Sequence, residues 1–135
     1  MLQRVQTIWL LLATACGFAT LKTSFFIGSI STEPASHLTA MSNVLLMILT
    51  IVAATVALVT IFLYKNRGLQ LKLVLSSIGL NIPILALYFI EMNKYAVGGL
   101  ALWAVIVIAV PVLLVMAAVG IYKDDKLVKS TDRLR

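Results

Sequence analysis

Polar side chains are scarce in the apolar stretches of this chain, so the few that occur there are where chemistry must be sought. Residues 73–90 carry no charge, yet they hold Ser77 and Asn81, four apart, with Tyr88 seven beyond Asn81. Helical spacing puts all three on one face. A hydroxyl, an amide and a phenol on one stripe can hydrogen-bond a neighbouring helix or line a path for a polar solute. Catalysis or ion coupling at depth in a bilayer calls for ionisable groups, and residues 34–64 and 73–90 contain no Asp, Glu, Lys or Arg. Glu91, just past the second of these runs, stands three residues before Lys94. It reads as an interfacial ion pair, worth ~1 kcal/mol or less. His37 has Glu33 four residues before it, which is too few ligands for a metal site. Cys16 is the single cysteine, so an intrachain disulfide or dithiol centre is excluded, and it reads as a small buried apolar group. No nucleophile triad, phosphate loop or cofactor motif is present. The expectation is a protein without enzymatic activity, cofactor or metal.

The charged residues carry a different message. Lys65, Arg67 and Lys72 form a basic knot between the uncharged runs 34–64 and 73–90. A short basic loop between two long apolar runs reads as a cytoplasmic turn of a membrane protein. Composition agrees. Of 135 residues, 61% are hydrophobic and 12% charged, and mean hydropathy is +1.06. Soluble domains carry about 25% charged residues. A chain this short has too little polar surface to keep such a sequence in water. Net charge is +6. In a soluble protein that would raise nucleic acid as a partner. Here membrane topology and anionic lipid headgroups explain it better, and no nucleic acid is expected.

Four spans follow, at about residues 5–27, 38–64, 73–90 and 95–122, with a cytoplasmic tail at 123–135. About 20 apolar residues cross the hydrocarbon, and the spans must be helices because their backbone has to satisfy itself. The fold class is therefore all-α: an integral membrane four-helix bundle, up-down-up-down, with both termini cytoplasmic, in a single domain over residues 1–135. That threading collects Arg4, Lys65, Arg67, Lys72, Lys123, Lys126, Lys129, Arg133 and Arg135 on one side and leaves Lys22 and Lys94 on the other. The positive-inside rule makes the first side cytoplasmic. Trp9, Tyr64 and Tyr122 then fall near the inner interface, and Phe25, Phe26, Tyr88 and Tyr95 near the outer one. Trp103 lies deep in the fourth span, where no aromatic belt explains it.

The first span has a rival reading as a signal peptide, since Ala13-Thr14-Ala15-Cys16 approaches a lipoprotein cleavage box. Ala13 stands where a large aliphatic belongs and the start holds one Arg, so the span is expected to stay attached. Residues 23–37 read as an irregular outer loop, with Ser36 or Thr39 capping the second helix. Residues 91–94 read as a tight turn between helices three and four.

Packing in lipid rests on small residues and polar contacts. Thr50, Ala53, Ala54, Ala57 and Thr60 share one face of the second helix. Ala13 and Gly17, followed by Thr20 and Ser24, serve the first; Ala117 and Gly120 serve the fourth. Pro83 and Pro111 remove backbone donors. A kink near residues 79–83 is expected, with Ser76 or Asn81 near the freed carbonyl of Gly79. The tail pairs Asp125 with Lys129 and sets Leu127, Thr131 and Leu134 along one side. Such a weak stripe suits a lipid surface, a docking partner or a solvated end of helix four.

Three stretches together, MLQRVQTIWLLL at residues 1–12, FLYKNRGLQ at 62–70 and KDDKLVKSTDRLR at 123–135, resemble a family of small four-helix bacterial inner-membrane proteins catalogued as a domain of unknown function. The resemblance implies an uncleaved first helix and a bacterial cytoplasmic membrane, and it brings no catalytic residue, ligand or cofactor. The function expected is an accessory or assembly subunit acting by contact through the basic face, on a membrane-protein partner or as a homo-oligomer. The alternative is a small oligomeric transporter or channel whose third helix, with Ser77 and Asn81, lines the path. Small multidrug transporters have a similar size and span count, but their membrane-embedded Glu in the first span has no counterpart here.

Overall fold

A computed structural model describes residues 2–30 and 33–133. Four helices carry the fold: α1 (Leu2–Ala19), α2 (Val44–Phe62), α3 (Arg67–Met92) and α4 (Ala104–Asp132). α1 packs on α2 and α4, and α3 packs on the same two. Gln6 near the start of α1 reaches Gly120 near the end of α4, and Ser77 of α3 reaches Ala53 of α2. Successive helices therefore run antiparallel. α2, α3 and α4 are each long and apolar enough to cross a membrane, and Val5–Ala19 of α1 is a shorter apolar helix. This is a membrane protein built on four helices.

One end of the bundle is not helical. β1 (Phe26–Ile30), β2 (Glu33–Leu38) and β3 (Val97–Leu100) form a sheet in the order β2-β1-β3, antiparallel throughout. The spans expected at 5–27, 38–64 and 95–122 therefore need correction: helix one stops at Ala19, helix two starts at Val44, and helix four starts at Ala104. Apolar content marks burial, and short apolar runs do not separate helix from strand. Residues 26–30 and 33–37 are not irregular; they are strand residues paired antiparallel. Trp103 is also corrected. It precedes the first residue of α4 and is exposed, so it stands at a helix end, where an interfacial belt accounts for it.

The sheet closes on glycine. Gly28 and Gly98 are cross-strand partners. A Cβ on Gly98 would lie 2.5 Å from the Ile27 carbonyl oxygen and 2.6 Å from a Phe26 ring carbon. The Phe26 ring occupies that space and stacks edge-on against Tyr95, centroids 5.3 Å apart. Phe25 faces the bundle and packs on Tyr88 at 4.5 Å and on Phe89 at 6.1 Å.

Caps fall one element away from where the sequence placed them. Asn43, not Ser36 or Thr39, caps α2, its side chain accepting the Leu45 N–H at 2.9 Å. Residues 33–38 are taken by β2, and a single 3-10 turn at Ala40–Ser42 follows, where the Ser42 hydroxyl accepts the Thr39 N–H at 3.0 Å. Asn66 caps α3. Between the helices, Leu46, Thr50, Ala53, Ala54, Ala57 and Thr60 form the buried face of α2. Gly17 lies against Ala54 closely enough that a Cβ there would come within 3.2 Å of the alanine methyl.

Candidate functional site

Three places gather polar side chains. The first lies inside the bundle. Ser77 and Asn81 are buried there with Thr20, Thr50 and Tyr88, around a cavity of about 20 Å³ whose other walls include Ala53, Ala57 and Val107. That is room for one water, which needs roughly 10–15 Å³. Most of the polar capacity is spent on carbonyls. Thr20 donates to Gly17 O at 2.6 Å, Thr50 to Leu46 O at 2.7 Å, and Ser77 to Ala53 O at 3.2 Å. Asn81 Nδ2 donates to Ser77 O at 2.8 Å, within its own helix. Of Ser76 and Asn81, the two candidates for the Gly79 carbonyl that Pro83 frees, Asn81 turns to the Ser77 carbonyl instead. α3 and α4 each continue as one helix through their prolines. The Tyr88 hydroxyl is buried without a hydrogen bond. The Thr20 hydroxyl interacts with it; its proton goes to Gly17 O, which leaves its oxygen as an acceptor.

The second place is the sheet end. Lys94 Nζ holds Glu91 at 2.8 and 2.9 Å, as the sequence spacing predicts. Asn43 Nδ2 also donates to Glu91 Oε1, at 2.7 Å, so this carboxylate ties the start of α2 to the end of α3. His37 Nδ1 meets Ser24 Oγ at 3.2 Å. Among the described residues no three His, Cys, Asp or Glu side chains come together as metal ligands. Cys16 is half-buried beside the cluster of Leu10 and Ala13.

The third place is the opposite, basic end. Lys65, Lys72, Lys123, Lys126 and Lys129 are exposed there, together with Arg133 at the end of α4. Arg67 is half-buried and pairs with Asp124 at 3.3 Å; Lys129 pairs with Asp125 at 2.6 Å. The α2–α3 turn and α4 enclose an open groove of about 520 Å³ lined by Tyr64, Lys65, Arg67, Asp125 and Val128. α4 carries this surface outward, because it continues as helix to Asp132. Arg4 lies in α1 with its side chain outside the described set, and Arg135 is outside the described residues.

Two residues with structural work at this end escaped the sequence reading. Gln6 is buried and donates to Gly120 O at 2.9 Å, joining α1 to α4. Gln70 is buried and donates to Thr60 O at 3.2 Å, a carbonyl at the end of α2 that also accepts the Leu63 N–H. A long amide inside or beside an apolar run was the available signal.

No curated protein and no solved structure matches the chain. Residues 2–134 match the family described as Domain of unknown function (DUF4293). With the match running nearly end to end over a bundle of four apolar helices, the chain belongs to that family.

Proposed function

We propose that this protein sits in the bacterial cytoplasmic membrane with both termini and the α2–α3 turn inside, and that it acts by contact, as an accessory or assembly subunit, through its basic end. The observation that carries this reading is the state of the cations there. Among the described residues, Lys65, Lys72, Lys123, Lys126 and Arg133 have no acidic partner, while the groove between the α2–α3 turn and α4 stands open beside them. Such cations suit anionic headgroups or the acidic face of another membrane protein. Placing a photoreactive residue at Lys65 or Lys126 in living cells tests it. A discrete protein adduct is expected, and lipid adducts alone would defeat the contact role.

A second reading is a small oligomeric transporter with α3 lining the path. The convergence of Thr20, Thr50, Ser77, Asn81 and Tyr88 on one cavity favours it. Asn81→Leu separates the two. A packing role predicts a modest loss of stability, on the order of 1–2 kcal/mol. A transport role predicts an intact bundle with flux abolished in proteoliposomes.

A further inference from the structure

The sheet has two edges, and they are treated differently. On β2, Pro34 has no N–H to offer, and the His37 carbonyl accepts the Ser42 hydroxyl at 3.3 Å. β3 has no such cover. Val97-Gly98-Gly99-Leu100 contains no proline and no charge, and all four residues are exposed. Val97 is 73% and Leu100 62% exposed, on opposite faces of the strand, although the Phe26 ring covers Gly98. An uncharged, uncovered edge is a template for another strand.

The backbone pattern says more. Ala101 donates its N–H to Phe25 O at 2.9 Å, and Gly99 stands opposite Ile27. By the alternation of an antiparallel ladder, residues 99 and 101 turn towards β1, and Gly98 and Leu100 turn their N–H and C=O outward. Those groups lie among apolar side chains, with Leu102 86% exposed just beyond. Water can bond such a backbone group but is a poor cover for Val97, Leu100 and Leu102. The complement has to supply a donor and an acceptor at every second residue and accept apolar flanks, which describes a strand.

We propose that the strand is β3 of a second copy, paired antiparallel about a two-fold axis at Gly99. In that register Gly98 of each copy exchanges both hydrogen bonds with Leu100 of the other, and the arrangement closes on itself as a two-fold contact must. Val97 then faces the second copy's Ala101. Nothing opposes it electrostatically, because the strand is uncharged and Lys94, three residues before Val97, is already held by Glu91. A Cβ on Gly99 would meet nothing within 4 Å, so a side chain placed there for cross-linking has room on the sheet face. This dimer is independent of the contact role proposed for the basic end.

Gly99→Cys on a Cys16→Ala background tests it in native membranes under mild oxidation. Facing residues that do not share hydrogen bonds lie about 4.5 Å apart at Cα, inside the disulfide range of about 4.4–6.8 Å. A disulfide-linked dimer is expected from position 99 and little from Ala35→Cys on the β2 edge. Photobleaching steps in lipid discs should count two copies for the wild type and one for Leu100→Lys, which places a charge on the edge. Should Leu100→Lys fail to fold, the Gly99 disulfide still decides. A monomeric wild type without the adduct would mean that lipid covers the edge. An adduct to a different protein, or a dimer that ignores Leu100→Lys and lacks the Gly99 disulfide, would mean another interface. Each of the three overturns the proposal.

Discussion

The two ends of the bundle are held together by different means. At the sheet end, glycine lets two strands and an aromatic ring come within contact distance, and Phe25, Phe26 and Leu38 carry apolar burial out past the helices, with the Asn43–Glu91 bond as a polar tie beside them. At the basic end, α1 meets α4 and α2 meets α3 through two glutamine amides on backbone carbonyls, with one cross-helix ion pair between Arg67 and Asp124. Close packing has no slack, because overfilling a tight site costs about 1–3 kcal/mol. Polar contacts between membrane helices are individually weak, averaging ~0.6 kcal/mol. The sheet end should therefore be intolerant of added volume, and the basic end tolerant of lost contacts.

Orientation gives the largest effect, since it is all or none. On a Cys16→Ser background, Asn93→Cys should label from outside intact cells and Asn66→Cys only once the inner face is opened. The reverse pattern would exchange the roles assigned to the two ends. Next comes Gly98→Ala. Its methyl would sit 2.5 Å from the Ile27 oxygen and 2.6 Å from Gly28 Cα, so a loss of about 1–3 kcal/mol is expected. Gly99→Ala, with open space above it, should change stability by only a few tenths of that. Melting of both variants in one detergent checks the pair, and equal melting temperatures would remove the packing argument for this end.

How much of this was legible in the sequence differs along the chain. The helices were, because an uncharged run with small residues three and four apart specifies both the element and its buried face; the alanines and threonines of α2 are the plain case. The ends of the helices were not. Phe26-Ile27-Gly28-Ser29-Ile30 is as apolar as a helix end, and its partners make it a strand: residues 33–38 nearby and, far along the chain, Gly98 and Gly99. The second pairing is non-local, so no window around either segment reveals it. The pair Gly98-Gly99 lies in β3, inside the span expected at 95–122. In the candidate site, Ser77 and Asn81 lie inside as their spacing implies, but the choice of Ser77 O over Gly79 O depends on reach within one turn.

Buried amides supply the next smaller effect. Gln70→Leu removes a second donor from Thr60 O, which also accepts the Leu63 N–H, and Gln6→Leu removes an added donor from Gly120 O within α4. Each should cost between about 0.6 and 1.7 kcal/mol, the mean and upper values for such contacts in membranes. The Gln6 change carries the extra requirement that its side chain clear Gly120, where a Cβ would lie 3.0 Å from Gln6 Cγ. A loss as large as that of Gly98→Ala would erase the contrast between the ends.

The smallest effect belongs to the ion pair. Arg67 and Asp124 lie 3.3 Å apart with side chains 27% and 14% exposed, so solvent and salt reach them. An exposed pair is worth about 0.2–1 kcal/mol, and screening is strong because the Debye length is about 8 Å at physiological ionic strength. Asp124→Asn should therefore lower stability slightly at low salt, and the difference should shrink as salt rises. The same change releases the Arg67 guanidinium into the groove beside Lys65. If that groove receives an acidic surface, Asp124→Asn should strengthen capture of the partner while it weakens the fold. A pair that served only to join α3 to α4 would show the stability loss and no change in photo-adduct yield at Lys65.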